Sequence, residues 1–376
     1  MIKREHFIKE LFEYTQIMPV CAILGPRQCG KTTLAREFSE IYKHPVHFFD
    51  LENPDHLNEL AAPKLALEPL NGLIVIDEIQ RRPELFPYIR YLSDYTDKKF
   101  LILGSASRDL IHQSSETLAG RIAYIELTPF NVSETQESYN LWLRGGFPRS
   151  YLSSTESQSQ KWRKQYIFTF LERDLQMLGI QINPKLMRQF WMMIAHYHGN
   201  IANFTEIGRS LGISDMTARR YLEILNDTFM IRILRPWFVN ISKRQVKSPK
   251  IYVRDSGLYH SLIGFTSENL IGHPNRGSSW EGFALEETIR HYSADAEDCY
   301  FWGTQAGAEL DLLIVKEGQK RAFEFKYADT PKATKSMHSA LETLGLQNLT
   351  VVVPGDVSYK LSEEIHVLGL DQYMKS

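Results

Sequence analysis

The chain has few cysteines, no long apolar run and almost no net charge. Its three cysteines, Cys21, Cys29 and Cys299, are widely separated and form no C-x-x-C pair. This odd count predicts neither a disulfide framework nor a zinc site, and it favours a reducing compartment. No stretch approaches the roughly 18 consecutive apolar residues that a membrane-spanning helix needs. We therefore expect a cytoplasmic protein with no membrane partner.

The charge balance limits how the chain would contact a nucleic acid. The formal net charge of the 376 residues is −2, so any such contact depends on a local basic patch. One patch lies within 241–250, where the basic residues are Lys243, Arg244, Lys247 and Lys250. A solvated charged loop has the same composition, so the patch alone does not establish binding.

Short apolar runs alternate with helical periodicity over residues 1 to about 130. The runs that predict β-strands are 19–25, 44–52, 71–80, 98–107 and 120–130. Strands that are apolar on both faces are typical of a buried parallel sheet with helices between the strands. This part of the chain therefore predicts an α/β domain with a doubly wound sheet.

The first of these strands leads into a phosphate-binding motif. The segment "GPRQCGKT" fits the pattern G-x-x-x-x-G-K-[ST], and it stands between a strand and a predicted helix, as this motif requires. Main-chain N–H groups of such a loop surround phosphate oxygens, and the helix N-terminus adds a favourable dipole. The residues expected to bind ATP are Gly25, Pro26, Arg27, Gln28, Cys29, Gly30, Lys31, Thr32 and Thr33.

Acidic residues end a later strand, "LIVIDE". Carboxyl ends of strands are where ligands bind in open α/β folds. We expect Thr32 and Asp77 to hold Mg²⁺, with Glu78 orienting or deprotonating the attacking water and Lys31 contacting the β- and γ-phosphates. Two further catalytic candidates are less specific. Ser105 ends the strand "FLILGSAS", where a plain capping serine is the alternative, and Arg121 is a candidate γ-phosphate sensor or a finger for a neighbouring subunit. A surface ion pair is the alternative role for Arg121.

Eight segments along the chain carry a further signal: "GPRQCGKTTL", "IVIDEIQRRPELFPYIRYL", "LILGSAS", "LAGR", "GGFP", "FLERDL", "KSPKIYVRDSGL" and "GAELDLLIV…FEFK". Together they resemble one widespread prokaryotic family, the AAA+ ATPases that carry a C-terminal domain of unknown function. The resemblance covers nearly the whole chain. It implies a P-loop core, a winged-helix segment and a nuclease-like C-terminal end, and it leaves the biological role open.

The middle of the chain predicts a helix-turn-helix at 203–231. Ile207 and Leu211 lie on one face of a first helix, Gly212 supplies a turn, and Ser214 caps a second helix. That second helix would expose Arg219 and Arg220 to DNA. It also exposes Asp215 and Glu223, which weaken a DNA-facing surface, and such modules also bind proteins. DNA is therefore one of two candidate partners for this element.

The C-terminal stretch "GAELDLLIVKEGQKRAFEFKYAD" predicts a β-hairpin. Residues two apart share a strand face, so Glu309 and Asp311 lie on one face of the first strand. Glu324 and Lys326 likewise lie on one face of the second. The order acidic residue, then E-x-K, resembles the PD-(D/E)xK nuclease core. The resemblance implies a metal-binding set with a helix glutamate added, for which Glu281 is the best match and Glu286 the second choice.

These predictions combine into three parts. Residues 1–135 form the P-loop AAA+ ATPase core, 136–240 a helical lid and winged helix-turn-helix, and 241–376 an α/β nuclease-like domain. ATP and Mg²⁺ are the expected cofactors, and a homo-oligomer is a candidate assembly. The expected function is ATP hydrolysis coupled to nucleic-acid binding. The alternative is an ATP-gated switch that binds DNA or protein through an inactive nuclease fold.

Overall fold

A computed structural model describes residues 2–104, 116–238, 246–266, 268–269 and 272–375. The chain divides into two compact units. The first comprises the residues up to Pro129 together with Asp227–Phe229, and the second comprises Phe130–Asn226 and the residues from Met230 onward. Within the described ranges, no helix has the length and apolar character needed to cross a membrane.

The first unit contains a parallel sheet of five strands. The strands are β1 (Val20–Leu24), β2 (Val46–Asp50), β3 (Leu73–Asp77), β4 (Lys99–Gly104) and β5 (Ile122–Glu126), and their order in the sheet is β2-β3-β4-β1-β5. The α-helices of this unit are Glu5–Ile17, Lys31–Ile41, Pro54–Glu59, Pro63–Leu67 and Phe86–Tyr95, and short 3₁₀ turns span Ile79–Arg81 and Pro83–Leu85. The predicted α/β fold with a parallel sheet is therefore confirmed for this part of the chain.

Both faces of this sheet are covered. Along β1 the side chains alternate, with Ala22 and Leu24 in one apolar cluster and Cys21 and Ile23 in the other. Because consecutive side chains of a strand point to opposite faces, a strand buried on both sides reads as an uninterrupted apolar run. All five strands run in the same direction, so their carboxyl ends lie along one edge of the sheet.

The second unit combines a helical part with a large mixed sheet. Its α-helices are Val132–Thr135, Ser138–Arg144, Pro148–Tyr151, Glu156–Thr169, Leu175–Met177, Pro184–His196, Phe204–Leu211, Asp215–Asp227, Ser256–Ile263, Arg276–His291, Lys335–Leu344 and Leu370–Tyr373, with a π-helical turn at Phe170–Asp174. Its largest apolar cluster joins helix residues such as Phe190, Trp191 and Leu225 to strand residues such as Ile251.

In the part of the chain that the structure describes, nine strands form that sheet. They are β6 (Asn200–Ile201), β7 (Ile231–Pro236), β8 (Lys250–Val253), β9 (Cys299–Gly303), β10 (Glu309–Lys316), β11 (Gln319–Phe325), β12 (Leu349–Val353), β13 (Ser358–Lys360) and β14 (Ile365–Gly369), in the order β13-β14-β12-β11-β10-β9-β7-β8-β6. The predicted C-terminal hairpin is β10–β11. Its turn is Glu317-Gly318, where both residues have positive φ (53° and 76°), as a tight two-residue hairpin turn requires.

Candidate nucleotide site and carboxylate–lysine cluster

The phosphate loop joins the end of β1 to the helix Lys31–Ile41, as the sequence predicts. Gly30 and Gln28 have φ of 106° and 63°, in the left-handed region that favours glycine. At Gly25 the constraint is space, because an added Cβ would lie 2.2 Å from the carbonyl oxygen of Leu127. The buried ammonium of Lys31 donates to the carbonyl oxygens of Gly25 and Pro26, each at 2.9 Å.

Thr32 and Asp77 meet next to this loop. The Thr32 hydroxyl donates to Asp77 Oδ2 at 2.6 Å, and the main-chain N–H of Glu78 donates to Oδ1 at 2.9 Å. Burial raises the pKa of Asp77, opposed by the Thr32 hydrogen bond and the charge of Lys31. A hydroxyl and a carboxylate side by side are the hard oxygen donors that Mg²⁺ prefers. These two residues therefore fit the metal that the motif implies.

Glu78 follows β3 in a left-handed conformation, with φ of 55°. The Gln80 amide donates to its Oε2, and the Arg27 guanidinium lies 4.0 Å from its Oε1. Arg27 also pairs with Glu52 at 2.8 Å. Burial raises the pKa of Glu78, opposed by the charges of Lys31 and Arg27. Sequence reasoning missed Gln80 and Glu52. Gln80 is only two residues beyond Glu78 but belongs to no catalytic motif, and Glu52 reaches the site only through the fold, by its pair with Arg27.

Arg121 lies at the other edge of the same sheet. Its main-chain oxygen accepts from Val20 N at the amino end of β1. The phosphate loop follows the carboxyl end of β1, and the length of this five-residue strand is about 16 Å at about 3.3 Å per residue. The guanidinium pairs with Asp94 at 2.5 and 3.1 Å, and both side chains are about one-third exposed. The structure does not bring Arg121 to the phosphate loop of its own chain, and a role toward a neighbouring subunit stays a prediction. Ser105 lies outside the described residues.

The predicted nuclease-like residues lie together in the second unit. Glu281 comes from the helix Arg276–His291, Asp311 from β10, Glu324 from β11, and Lys326 directly follows β11. The Lys326 ammonium lies 2.8 Å from Glu324 Oε2 and 3.7 Å from Asp311 Oδ2. Asp311 Oδ2 also accepts from the Phe325 N–H at 3.1 Å. The two strands therefore converge as the alternation predicts.

A second lysine, which sequence reasoning placed in the basic patch, belongs to the same group. Lys250 on β8 is 2% exposed. Its ammonium pairs with Glu309, and it lies 3.5 Å from Asp311 Oδ1 and 3.8 Å from Glu281 Oε1. Its assignment to a nucleic-acid patch was wrong, because a buried ammonium surrounded by carboxylates is not available to phosphates. We call the six residues the carboxylate–lysine cluster: Lys250, Glu281, Glu309, Asp311, Glu324 and Lys326.

Burial and neighbouring charges shift the pKa values of the cluster residues. Burial favours the neutral form of Asp311, but the neighbouring charges of Lys250 and Lys326 outweigh it and lower its pKa. Burial and the charge of Asp311 raise the pKa of Glu281 and that of Glu324. The carboxylates outweigh burial at Lys250 and raise its pKa. Asp311 and the two lysines are therefore the persistently charged centre.

The cluster as placed does not fit a divalent metal ion. Mg²⁺ needs oxygen ligands at about 2.0–2.1 Å from one centre, whereas here Glu281 Oε1 and Asp311 Oδ1 both face the Lys250 ammonium, at 3.8 and 3.5 Å. In the described part of the chain, no group of three or more His, Cys, Asp or Glu side chains is arranged to hold a metal. The expectation of a metal site on these carboxylates is therefore not met by their arrangement.

Glu286, the second choice for the helix glutamate, belongs elsewhere. It is buried and pairs with Arg232, with Arg254 at 3.3 Å and with Arg290 at 3.9 Å. Burial opposes its charge, but the arginines outweigh burial and lower its pKa to about 2. Glu286 is thus a packed ion-pair centre within the second unit, and Glu281 is the helix glutamate that reaches the cluster.

Two helices form the predicted helix–turn–helix segment. Phe204–Leu211 ends at Gly212, whose φ is 67°, and the Ser214 hydroxyl accepts from Thr217 N at 3.1 Å at the start of Asp215–Asp227. Arg219 and Arg220 are exposed on this second helix, and the Arg219 guanidinium lies 4.1 Å from the centre of the Phe204 ring. The other two nucleic-acid candidates, Lys243 and Arg244, lie outside the described residues.

Comparison with known families divides the chain into three segments. Residues 18–136 match an AAA domain, 135–269 match a domain of unknown function (DUF8612), and 276–373 match a second domain of unknown function (DUF4143). Among solved structures, the Walker-type ATPase PABY2304 of Pyrococcus abyssi is 17% identical, with a TM-score of 0.49, covering 70% of this chain and 96% of that one. The RuvB Holliday junction branch migration motor of Thermotoga maritima is 19% identical with a TM-score of 0.30, covering 62% and 90%.

Two curated relatives match along the whole chain. The uncharacterized proteins Rv2008c of Mycobacterium tuberculosis and Mb2031c of Mycobacterium bovis are each 45% identical over 379 residues, covering 100% of this chain and 85% of the relative. Identity at this level over this length shows common family membership. The chain therefore belongs to the family of these mycobacterial proteins, and its residues 18–136 match an AAA domain.

Proposed function

We propose that the chain hydrolyses ATP at the phosphate loop and uses the cycle to control binding by its second unit. The observation that supports hydrolysis most directly is the 2.6 Å contact between Thr32 and Asp77. It places a hydroxyl and a carboxylate from two distant motifs beside Lys31. The AAA+ assignment, the winged helix and the nuclease-like domain are parts of this proposal, with the divisions 1–135, 136–240 and 241–376.

Each residue has a distinct task in this mechanism. Main-chain N–H groups of Gly25–Gly30 and the N-terminus of the helix Lys31–Ile41 bind the phosphates. The ammonium of Lys31 exchanges the carbonyl oxygens that it now contacts for β- and γ-phosphate oxygens. Thr32 and Asp77 hold Mg²⁺, which neutralises phosphate charge when bound. Glu78 accepts a proton from the attacking water, and its raised pKa favours that transfer.

Nucleotide binding is tested by Lys31→Ala in a calorimetric titration with ATP and Mg²⁺. We expect the variant to lose affinity, because a buried ammonium aimed at the loop is replaced by a methyl group. Lys9→Ala is the matched control, since Lys9 is an exposed residue of the helix Glu5–Ile17. Unchanged ATP affinity in Lys31→Ala would contradict the nucleotide site.

The proposed target of the second unit is DNA. Arg219 and Arg220 are exposed near the start of the helix Asp215–Asp227, which is the part of a recognition helix that contacts bases and phosphates. We expect duplex DNA to stimulate ATP turnover and expect the double change Arg219→Ala and Arg220→Ala to weaken that stimulation. Arg188→Ala, on the exposed side of the helix Pro184–His196, is the control. Stimulation that survives the double change would exclude this helix as the DNA contact.

A second candidate function is an ATP-gated binding switch with an inactive nuclease fold. It is favoured because Asp311 and Glu324 are paired with lysines, so their carboxylates are not left open for a metal ion. Incubation of DNA and RNA with the protein and Mg²⁺ separates the two candidates. Cleavage that disappears in both Glu324→Ala and Lys326→Ala would establish a nuclease, and the absence of cleavage supports the switch.

A further inference from the structure

We propose that Lys250 is a built-in cation of the carboxylate–lysine cluster. Its ammonium takes the central position between Glu281, Glu309 and Asp311 that a divalent ion would otherwise occupy, so the cluster assembles without metal. This deepens the proposed inactive nuclease fold and is independent of ATP hydrolysis. The substitute for the metal is thus part of the chain itself.

The first support is the convergence of three carboxylates on one ammonium. They come from two elements, the helix Arg276–His291 and the strand β10, and all three lie within 4 Å of Lys250 Nζ. A buried ammonium is costly unless opposite charges and hydrogen bonds compensate for lost water. Here the compensation is complete enough that the lysine is 2% exposed.

The second support is that β8 supplies two partners to the same side. Lys250 and Tyr252 are two residues apart on the strand, so their side chains share a face. The Tyr252 hydroxyl donates to Glu281 Oε1 at 2.8 Å, the same oxygen that faces Lys250. The sequence K-I-Y therefore places a positive charge and a hydrogen-bond donor against one carboxylate.

The third support is the use of both oxygens of Asp311. Oδ1 faces Lys250 at 3.5 Å, while Oδ2 faces Lys326 at 3.7 Å and accepts from Phe325 N–H. A metal that bound Asp311 and Glu281 together would have to displace the Lys250 ammonium. That displacement would leave a buried charge without its partners, so metal binding is opposed by the fold.

The inference is tested by counting bound Mn²⁺ in the nucleotide-free, full-length protein, with free Mn²⁺ measured by electron paramagnetic resonance. We expect the unaltered protein and Asp311→Asn to bind the same amount of Mn²⁺. We expect Lys250→Met, which removes the ammonium and keeps the unbranched shape of the rest of the side chain, to bind one additional ion per chain. Adding Asp311→Asn to Lys250→Met should remove that ion. The phosphate loop is unchanged in all four proteins, so it cancels in the comparison.

Two outcomes would overturn the inference. One is an ion bound by the unaltered protein that Asp311→Asn lacks. The other is a Lys250→Met protein that melts cooperatively but gains no ion. If Lys250→Met does not fold, the unaltered protein is treated instead with Fe²⁺, ascorbate and peroxide. A bound Fe²⁺ ion cleaves the backbone beside it, so the cut positions show where the ion binds. No cuts within 309–326 are expected, and cuts there would refute the proposal. ATP turnover of the same samples reports separately on the phosphate loop.

Discussion

The phosphate loop and the carboxylate–lysine cluster both bring lysine and carboxylate side chains together. The two sites differ in the partners that these charged groups contact. In the loop, Lys31 donates to two main-chain carbonyl oxygens, and Asp77 accepts from a hydroxyl and an N–H group. In the cluster, Lys250 and Lys326 pair directly with carboxylates. The same side-chain types are therefore held by neutral partners in one site and by charges in the other.

This difference predicts which site is ready to bind a ligand. A hydrogen bond between a charged and a neutral group is worth about 1.5–3 kcal/mol, and phosphate and Mg²⁺ offer charged partners that can replace the neutral ones. Separating a buried ion pair by removing one partner costs about 3–5 kcal/mol. The phosphate loop is thus open to exchange, whereas the cluster has already formed its strongest interactions internally.

The largest expected effect sharpens the catalytic side of the comparison. Glu78→Gln keeps the shape of the side chain but removes its ability to accept a proton, and loss of a general base lowers rates by about 10²–10⁴-fold. Steady-state ATP turnover measures the loss, while ATP binding should persist in a calorimetric titration. Glu84→Gln, at an exposed glutamate of the same unit, should turn over normally. Turnover within twofold of normal in Glu78→Gln would assign the base elsewhere.

The next prediction tests whether the phosphate loop depends on the close approach of the Gly25 main chain to Leu127. In Gly25→Ala the new methyl group would meet the Leu127 carbonyl at 2.2 Å, and overpacking of this kind costs about 1–3 kcal/mol. Urea unfolding measures the loss, and ATP affinity should fall with it. Gly277→Ala is the control, because an added Cβ there meets nothing within 4 Å. Equal stability of the two variants would show that the loop adapts freely.

Sequence reasoning predicted the local structure where the residues are contiguous. The residues of the phosphate loop are neighbours in the chain, so the motif predicts the loop between strand and helix without knowledge of the sheet order, and the structure has that loop between β1 and the helix Lys31–Ile41. The β10–β11 hairpin was likewise predictable, because alternation and the residues Glu317-Gly318 are local signals.

Sequence reasoning failed where partners come from distant strands. Lys250 precedes Asp311 by 61 positions, and nothing in "KSPK" distinguishes a buried lysine from a solvated one. Its strand β8 is three positions from β10 in the order β10-β9-β7-β8, so only the folded sheet, and no local pattern, brings Lys250 to Asp311. A role for Arg121 at the phosphate loop of its own chain is not met for a related reason, since the motif "LAGR" does not say that β5 begins at the amino edge of the sheet. The ion-pair alternative fits its contact with Asp94.

A smaller effect asks whether Arg27 positions Glu78 or binds phosphate. Its guanidinium pairs with Glu52 and lies 4.0 Å from Glu78. Because the contact with Glu78 is long, we take the lower end of the range for a hydrogen bond to a charged group, about 1.5 kcal/mol, and expect Arg27→Ala to lower kcat about tenfold. A positioning role predicts an unchanged KM, and a phosphate contact predicts a raised KM. Arg36→Ala, at an exposed arginine of the following helix, should change neither constant.

The smallest effect concerns the outer lysine of the cluster. Lys326 pairs with Glu324 and Asp311, but its side chain is 39% exposed, so water replaces much of what the pair provides. We expect Lys326→Gln to lower the free energy of unfolding by about 0.5–1 kcal/mol. Urea unfolding at two salt concentrations measures this, with Lys360→Gln on the exposed strand β13 as the control. A loss as large as the about 3–5 kcal/mol of a fully buried pair would contradict the view that Lys250 alone is the enclosed cation. Lys250 and Lys326 would then both act as enclosed cations of the carboxylate–lysine cluster.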